Sequence, residues 1–182
     1  SISGLTSGSR GDYLTVSFLD VGQGDAIFIE TPEGVQLLID GGPDNAVLRE
    51  LPGAMPWFDR SIDMVLGTHP DKDHIGGLVE VLKRYQVANI VLTENLNDTA
   101  VFRAFEGEVD AEGGTVTRAR AGQQIDLGSG VSLLIFSPAS DPTDWESNTS
   151  SIVAQLKYGE IEFMLTGDAT ANIEDYLANN YG

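Results

Sequence analysis

The stretch Thr68–Leu78, THPDKDHIGGL, contains both histidines of this 182-residue chain, His69 and His74, and places two aspartates between them. The apolar run IDMVLGT before it predicts a buried strand, and an apolar stripe beginning near His74 predicts a helix. The polar residues therefore lie in a strand-to-helix loop, where rigid elements hold short side chains in place. In an extended stretch residues 69, 71 and 73 point the same way, so one imidazole and two carboxylates are expected to converge, joined by His74 as the chain turns.

A cluster of this composition suits one or two divalent cations, because imidazole and carboxylate groups are common protein ligands for them. The competing interpretation is a solvated acidic turn, in which His69 caps the strand and His74 starts a surface helix. The pair Gly76-Gly77 favours the metal site, since it lets another backbone segment approach closely. The predicted ligands from this loop are His69, Asp71, Asp73 and His74.

Composition limits the other possibilities. The 182 residues, 41% of them hydrophobic, suit one globular domain with its own core. No apolar run approaches the ~20 residues of a membrane-spanning helix, and a targeting peptide is expected to be absent or removed. Cysteine is absent, which leaves metal binding to His, Asp and Glu. Residues 1–12 are rich in Ser and Gly and predict a linker or tag remnant, with the folded domain over residues 13–182.

The formal net charge is −18, from ten basic and twenty-eight acidic residues. Such a surface keeps a protein soluble and repels polyanions. It argues against a nucleic-acid partner, because Lys and Arg contacts to phosphate supply most of that affinity. A nucleic acid is compatible with this charge only if bound divalent cations reverse the field locally, or if a neighbouring segment supplies basic groups.

Short β-branched runs separated by turn signals predict eight strands, and four further patterns predict helices. The strands are predicted in YLTVSFLD, DAIFIET, VQLLID, IDMVLGT, NIVLTE, VSLLIFS, SIVAQLKY and IEFMLTG, and the helices in DNAVLREL, HIGGLVEVLKRY, NDTAVFRAF and ATANIEDYLANN. A Lys-Tyr-Gly turn between the last two strands predicts a hairpin. Many strands with helices between them indicate an α/β or α+β domain in which helices cover sheets.

Other aspartates also follow predicted strands. Asp40 ends LLID before two glycines, Asp168 ends FMLTGD before a helix, and Asp20 and Asp25 flank a glycine-rich turn. Taken singly, each is more often a turn former or a helix N-cap. Together with the His69 loop they predict a shared site, because the ends of adjacent strands gather at one edge of a sheet, where open α/β sites usually lie.

These motifs resemble the metallo-β-lactamase superfamily. HxDxDH followed by IGGL, with FLDVGQGDA and LLIDGG upstream and LTGD downstream, is similar in particular to the nuclease-like C-terminal domain of the ComEC competence (DNA-uptake) proteins and their stand-alone relatives. The similarity extends from about Leu14 to the chain end, and Asp71 stands where most superfamily members have a histidine. The resemblance implies an αββα sandwich with a two-metal site on one edge.

The resemblance also implies a role for each residue. His69 and Asp71 would hold the first metal, Asp73 and His74 the second, and Asp168 would bridge them. Asp73 and Asp168 are therefore the predicted catalytic carboxylates. The residues predicted to orient these ligands or to line the edge of the site are Asp40, Asp25, Gln23, Asn148 and Ser150.

The activity implied by the resemblance is metal-dependent hydrolysis of DNA phosphodiesters by a hydroxide that two metal ions activate. Carboxylate-rich ligands favour manganese or magnesium, whereas zinc is the commonest metal of the superfamily. The expected substrate is single-stranded DNA, as the strand that is not imported during natural transformation. Two alternatives stay open, a non-catalytic metal-binding module of a DNA-uptake protein and a metallohydrolase of another small-molecule ester.

The sequence departs from the family pattern in one respect. Family members continue after the LTGD helix into a strand and a glycine-histidine segment that supplies a ligand to the second metal, whereas this sequence stops at Gly182. The resemblance therefore predicts either a C-terminally truncated domain or a completing piece that comes from elsewhere. A truncated domain is expected to have reduced or absent activity and an exposed sheet edge able to pair with another chain. The resemblance also implies a membrane channel domain as partner in a parent protein, with this domain on the extracytoplasmic side of a bacterial membrane; otherwise the compartment is open.

Overall fold

The computed structural model describes residues 13–181, and the linker predicted at residues 1–12 lies outside the described residues. The described residues form ten strands and four α-helices. The strands are β1 (Thr15–Phe18), β2 (Ile27–Glu30), β3 (Gln36–Ile39), β4 (Ser61–Gly67), β5 (Gln86–Leu92), β6 (Thr115–Arg118), β7 (Gln124–Asp126), β8 (Val131–Ser137), β9 (Val153–Tyr158) and β10 (Ile161–Leu165), and the helices are α1 (Ala46–Ala54), α2 (Lys72–Leu82), α3 (Ala100–Glu112) and α4 (Ala171–Tyr181). Within this range no helix has the length and apolar character of a membrane span.

Two sheets form the centre of the fold. The first has six strands in the order β1-β2-β3-β4-β5-β6, antiparallel from β1 to β3 and parallel from β3 to β6. The second has four antiparallel strands in the order β10-β9-β8-β7. β3 and the C-terminal ends of β4 and β5 are continuously buried, because parallel strands in such folds are covered on both faces.

Three apolar clusters define four layers. Helices α1, α2 and α3 pack on the outer face of the first sheet through a cluster that includes Leu78 and Phe105. The two sheets pack face to face through a second cluster that includes Leu37 and Leu156. Helix α4 covers the outer face of the second sheet through a small cluster around Ile173. The layers are therefore helix, sheet, sheet and helix, which is the αββα sandwich that the family resemblance implied.

All eight predicted strands and all four predicted helices are present, and β9 and β10 form the predicted hairpin. The analysis of the sequence did not predict β6 and β7. β6 has the alternating pattern TVTR over only four residues, and β7 has three residues. Both lie at the edge of their sheet, where few side chains are buried, so the hydrophobic alternation that identifies a strand is weak.

Parallel strands bring several chain segments to one edge of the first sheet, here called the metal edge. The C-terminal ends of β3, β4 and β5 lead directly into Asp40, Thr68 and Thr93. The end of β10 lies close to the same edge, since a Cβ added to Gly167 would lie 3.1 Å from the Thr68 side chain. The metal edge therefore collects the loop that contains both histidines and the segment that contains Asp168.

Candidate metal centre

Two glycine pairs bring the turn after β3 into contact with the first turns of α2. The Gly41 amide donates to the His74 carbonyl at 2.8 Å. The Gly77 amide donates to the Gly42 carbonyl at 2.8 Å, and a Cβ on Gly77 would overlap the Gly41 carbonyl oxygen. The DGG and IGG motifs thus allow backbone-to-backbone contact, which only glycine permits here, and this contact positions α2 against β3.

Asp40 is the centre of a hydrogen-bond network behind the site. Its φ of 55° lies in the left-handed region, which residues other than glycine seldom adopt. Its buried Oδ1 accepts from the Thr68 amide at 2.8 Å, and its Oδ2 accepts from the Thr68 hydroxyl at 2.7 Å and from His74 Nδ1 at 2.8 Å. Backbone strain at a buried and fully bonded residue is typical of functional sites.

The same network determines which ring nitrogen of each neutral histidine is free. His74 donates from Nδ1 to Asp40, so its Nε2 carries the lone pair. The Thr68 hydroxyl gives its one proton to Asp40 and so accepts from His69 Nδ1 at 3.0 Å, which leaves His69 Nε2 unprotonated as well. Both Nε2 atoms are buried and have no hydrogen-bond partner among residues 13–181. Buried polar atoms seldom lack a partner, and a metal ion supplies one.

Carboxylates surround the two free nitrogens. The two rings lie side by side, with centroids 4.1 Å apart. Asp168 Oδ1 is 3.5 Å from His74 Nε2, and Asp71 Oδ2 is 3.7 Å from His69 Nε2. One ligand atom from each of His69, His74 and Asp168 lies within 4.8 Å of the others. The histidines are buried whereas the Asp168 and Asp71 side chains are 47% and 38% exposed, so the site has a buried imidazole floor and a solvated carboxylate rim.

Asp25 lies close to the same cluster. One ligand atom from each of Asp25, Asp40 and His74 lies within 4.8 Å of the others. Asp25 immediately precedes the alanine before β2 and is partly buried. The sequence predicted this residue at the edge of the site, and the structure places its carboxylate beside His74.

Asp73 is bonded to a different partner. Its Oδ2 accepts a hydrogen bond of 3.0 Å from Gln23 Nε2, in the exposed turn between β1 and β2. A Cβ on Gly24 would overlap the Asp73 backbone carbonyl, so this turn packs directly on the start of α2. Among residues 13–181, the two groups of converging ligand atoms do not include Asp73, and its role as a metal ligand stays a prediction.

The loop before β9 covers the rim next to Asp71. Ser147 Oγ donates to Asp71 Oδ1 at 2.6 Å. Asn148 and Ser150, predicted to line the site, lie in the short 3-10 helix Asn148–Ser150. Asn148 Oδ1 is buried and has no partner in the described part of the chain, and Ser150 Oγ donates to the Ser147 carbonyl at 2.6 Å. Asn148 thus keeps a free acceptor near the rim, whereas the Ser150 hydroxyl stabilises the loop itself.

One premise drawn from the sequence is wrong. Helix α2 begins at Lys72, two residues before the predicted start, so residues 69–73 are not one extended stretch. Asp73 lies in the first turn of the helix instead of beside His69. The physical reason is that Asp71 takes an extended conformation and acts as the N-cap residue of α2.

Two hydroxyl residues of the site were missed in the sequence. Thr68 bonds Asp40 and His69, and Ser147 bonds Asp71. Thr68 had a usable signal, because it is the polar residue between a buried strand and the histidine loop. Ser147 lies beside the predicted Asn148 and Ser150, but no local pattern distinguished it from them, because its partner lies 76 residues away in the chain.

The two histidines have opposite pKa shifts. Burial disfavours a charge on His74, but the hydrogen bond and charge of Asp40, with the charges of Asp168 and Asp25, outweigh it and raise the pKa from 6.5 to about 9. Burial and the nearby His74 charge lower the pKa of His69. Burial, with the Asp40 and Asp168 charges, raises the pKa of Asp25 despite His74. The field of the cluster therefore favours one positive charge beside His74.

These donors fit a divalent cation. Two buried imidazole nitrogens without partners face carboxylates that approach to 3.5 Å and 3.7 Å. Imidazole and carboxylate ligands suit zinc, manganese and iron, and carboxylates also suit magnesium. His69, His74 and Asp168 could hold a cation together, and Asp71 could join them through its approach to His69. Asp40 lies behind both rings and would orient them.

Comparison with known proteins agrees with this geometry. A family profile described as the metallo-beta-lactamase superfamily matches residues 19–181. The chain belongs to the metallo-β-lactamase superfamily. This is a superfamily of metal-dependent hydrolases, so the family resemblance seen in the motifs is confirmed.

Two relatives confirm the narrower resemblance to competence proteins. "ComE operon protein 3" of Bacillus subtilis (strain 168) is 26% identical over 191 residues, which covers 90% of this chain and 23% of the relative. "Recombination protein 2" of Haemophilus influenzae is 28% identical over 172 residues, which covers 92% of this chain and 20% of the relative. The chain thus spans less than a quarter of the length of these relatives.

A solved structure of the same fold contains a metal. Zn(2+)-bound PqqB from Methylobacterium extorquens aligns with a TM-score of 0.58 at 16% identity, over 84% of this chain and 56% of PqqB. At this identity the likeness establishes the fold alone. Proteins of the metallo-β-lactamase fold bind divalent metals, and candidate ligand groups for such metals are present here.

Proposed function

We propose that this protein cleaves phosphodiester bonds of DNA in a metal-dependent reaction, with single-stranded DNA as its substrate. The observation that carries the proposal is the pair of buried, unpartnered Nε2 atoms of His69 and His74, which face Asp71 and Asp168 at an open sheet edge. Similarity to proteins named for a competence operon and for recombination supports DNA as the substrate class.

Charge favours a single strand over a duplex. The net charge of −18 repels any polyanion. A duplex carries about one phosphate per 1.7 Å of axis against about one per 3.4 Å for a single strand, so the repulsion is greater for the duplex. Divalent cations at His69, His74 and Asp168 would place positive charge where the phosphodiester must bind.

We propose a separate role for each residue of the site. His69 and Asp71 would hold one cation, and His74 and Asp73 the other, with Asp168 between them. Asp40 orients His74 directly, and it orients His69 through a threonine hydroxyl. When bound, divalent cations polarise phosphoryl oxygens and lower the pKa of water. Asp168 and Asp73 are the carboxylates proposed to act in the reaction.

We propose manganese as the working metal, with magnesium or zinc as competitors. The cluster offers two imidazoles against several carboxylates, and a carboxylate-rich site suits harder ions. Zinc stays a competitor because a neighbour of the same fold binds it.

We also propose a cellular context from the similarity to competence proteins. The domain would lie on the extracytoplasmic side of a bacterial membrane, next to a membrane channel domain. There it would degrade the DNA strand that is not imported during natural transformation.

The test is cleavage of labelled single-stranded and duplex DNA by the purified chain with Mn²⁺, Mg²⁺, Zn²⁺ or a chelator. We expect Mn²⁺-dependent cleavage of the single strand, reduced roughly 100-fold or more in His74→Ala, which removes a metal ligand, and in Asp168→Asn, which removes the negative charge of one. Asp175→Asn, on the exposed face of α4, is the matched control and should cleave normally.

Each other outcome contradicts the proposal. Cleavage that survives the chelator or both ligand variants would not come from this site. Hydrolysis of a nitrophenyl carboxylate ester without any phosphodiester cleavage would assign the site to another ester. Tight metal binding with no hydrolysis at all would assign it to a non-catalytic module.

A further inference from the structure

Few basic groups of this acidic protein are free to contact an anion. Residues 13–181 contain nine of its ten Lys and Arg residues. Those that pair with acidic side chains are Lys83, Arg84, Arg103, Arg120 and Lys157. The four described basic residues without an ion pair are Arg49, Arg60, Lys72 and Arg118.

Arg118 is placed at the metal edge. It is the last residue of β6, and β6 runs parallel to β5 and β4. Arg118 therefore lies at the same edge of the sheet as the end of β4, which leads into the histidine loop. β6 is two strands away from β4, a lateral offset of about 10 Å. Arg118 and His69 line the same small cavity between the helices and the first sheet. Arg60, in contrast, precedes β4 and lies at the opposite end of that strand.

The Arg118 guanidinium is anchored but not saturated. Its Nη1 donates to the Thr93 carbonyl at 3.1 Å. That bond uses one of the five N–H groups of a guanidinium. The rest of the group has no carboxylate partner within residues 13–181, and the residue is exposed. A planar fork of donors held at one corner and open at the other suits bidentate contact with a phosphate.

Its neighbour Arg120 serves a different purpose. Arg120 Nη2 pairs with Glu94 and lies 3.9 Å from Asp141. Two carboxylates therefore already neutralise that group, which ties together loops of the metal edge. Of the two arginines that follow β5 at this edge, only Arg118 keeps its charge available to a ligand.

We propose that Arg118 binds a phosphate of the DNA strand next to the phosphate held at the metal centre. This inference rests on the proposed function and assigns the substrate contact that sets the preference for a polynucleotide. The bond to the Thr93 carbonyl holds the guanidinium at the end of β5, to one side of the two histidines, so we place the reacting phosphate at the histidines and the adjacent phosphate at Arg118. A substrate with one phosphate therefore gains nothing from Arg118, and a strand with several phosphates does.

The test compares Arg118→Gln on two substrates with Mn²⁺ present. For a short oligothymidylate we expect KM to rise roughly tenfold, because one charge-assisted contact is lost. The dependence of log(kcat/KM) on log(salt) should become shallower by about 0.7, the value for one phosphate contact to a single strand. For bis(p-nitrophenyl) phosphate, which has a single phosphate, KM and kcat should not change. Arg118→Lys should recover part of the oligonucleotide affinity, since it restores the charge without the fork.

Arg84→Gln is the matched control. It makes the same change in net charge at an exposed arginine beyond the C-terminal end of α2, about 15 Å along the helix axis from His74. Equal changes in the Arg84 and Arg118 variants would reduce the effect to bulk charge and overturn the proposal. A parallel loss on bis(p-nitrophenyl) phosphate would also overturn it, because the residue would then act on the centre itself.

Failure of the proposed function remains distinguishable from failure of this inference. If no phosphodiester is cleaved, the proposed function has failed, and binding of labelled oligothymidylate to the Mn²⁺-loaded protein, followed by fluorescence anisotropy, decides the role of Arg118 alone. A tenfold weaker and less salt-dependent binding by Arg118→Gln supports the contact, and unchanged binding excludes it.

Discussion

Both histidines are held by one carboxylate, that of Asp40. It bonds His74 directly and reaches His69 through the Thr68 hydroxyl. Such outer hydrogen bonds fix the tautomer and the orientation of metal-binding imidazoles. A change in this network should therefore alter metal binding even when every ligand is intact.

Thr68→Val provides the first prediction at this scale. Valine keeps the shape but removes the hydroxyl that accepts from His69 and donates to Asp40, so we expect cation affinity to fall roughly 10- to 100-fold. Calorimetric titration with Mn²⁺ measures the change. Thr68→Ser, which keeps the hydroxyl, should bind as the parent does, and a serine variant as weak as the valine variant would contradict the network.

The second prediction concerns the proton on His74. Its pKa in the folded state is about 9, above the ordinary value of 6.5. Protonation of His74 therefore stabilises the metal-free fold fully below pH 6.5, and this stabilisation is lost as pH rises through 9. A cation binding at pH 7.5 must therefore displace about one proton from His74. Calorimetry in buffers of different ionisation enthalpy counts that proton. A count of zero at pH 7.5, equal to the count at pH 10, would show that His74 is neutral before the metal arrives.

At the scale of elements, glycine contacts between the β3 turn and α2 place the histidine loop. Gly77→Ala should destabilise the fold by on the order of 3 kcal/mol or more, because the new Cβ overlaps the Gly41 carbonyl and the backbone must move. Gly107→Ala in α3 is the matched control. Apart from its chain neighbours and the backbone of its own helix, no described atom lies within 4 Å of a Cβ added there, so the variant should gain up to about 1 kcal/mol of helix propensity. Thermal denaturation of both variants checks the difference, and equal stabilities would remove the packing argument.

Elements were predictable where the sequence pattern reflects burial. β3 and the C-terminal half of β4 are buried runs, so the sequence pattern alone predicts that their ends, Asp40 and the His69 loop, share one site. β6 and β7 were missed because they are short and lie at sheet edges. The bond from Ser147 to Asp71 depends on how two distant loops meet, and no local pattern encodes that. The position of Arg118 could not be predicted either, because it depends on β6 ending at the metal edge.

At the scale of the molecule, the net charge opposes association of two copies through an apolar sheet edge. β10 ends the second sheet with Ile161 56% exposed and Met164 52% exposed. An edge of this kind can pair with a second copy. The charge of −18 keeps copies apart, and salt screens that repulsion, with a Debye length of about 10 Å at 0.1 M and about 3 Å at 1 M.

We therefore predict self-association that increases with salt. Sedimentation of the parent in 0.1 M and 1 M NaCl should show a higher average mass at the higher salt, and Ile161→Lys should abolish the increase. Leu96→Lys, at a 69% exposed position outside the strands, is the control and should behave as the parent. Association that both lysine variants suppress equally would indicate a general charge effect and not pairing through β10.

The Asp40 carboxylate joins the end of β3, the end of β4 and helix α2, and through these bonds it also makes the stability of the domain depend on metal supply. Asp40 bonds the start of the histidine loop and helix α2 to the end of β3, so loss of a bound cation would loosen these three segments together. The population of unfolded molecules would then rise by the same factor by which the metal had stabilised the folded ones. Proteases cut unfolded molecules. We therefore expect limited proteolysis to be slow in Mn²⁺ and fast in a chelator, with the first cut near α2. Equal rates in both conditions would show that metal binding does not stabilise these segments. If manganese fills the site as proposed, scarcity of manganese would shorten the lifetime of this domain, and its abundance would follow the metal supply without any dedicated regulator.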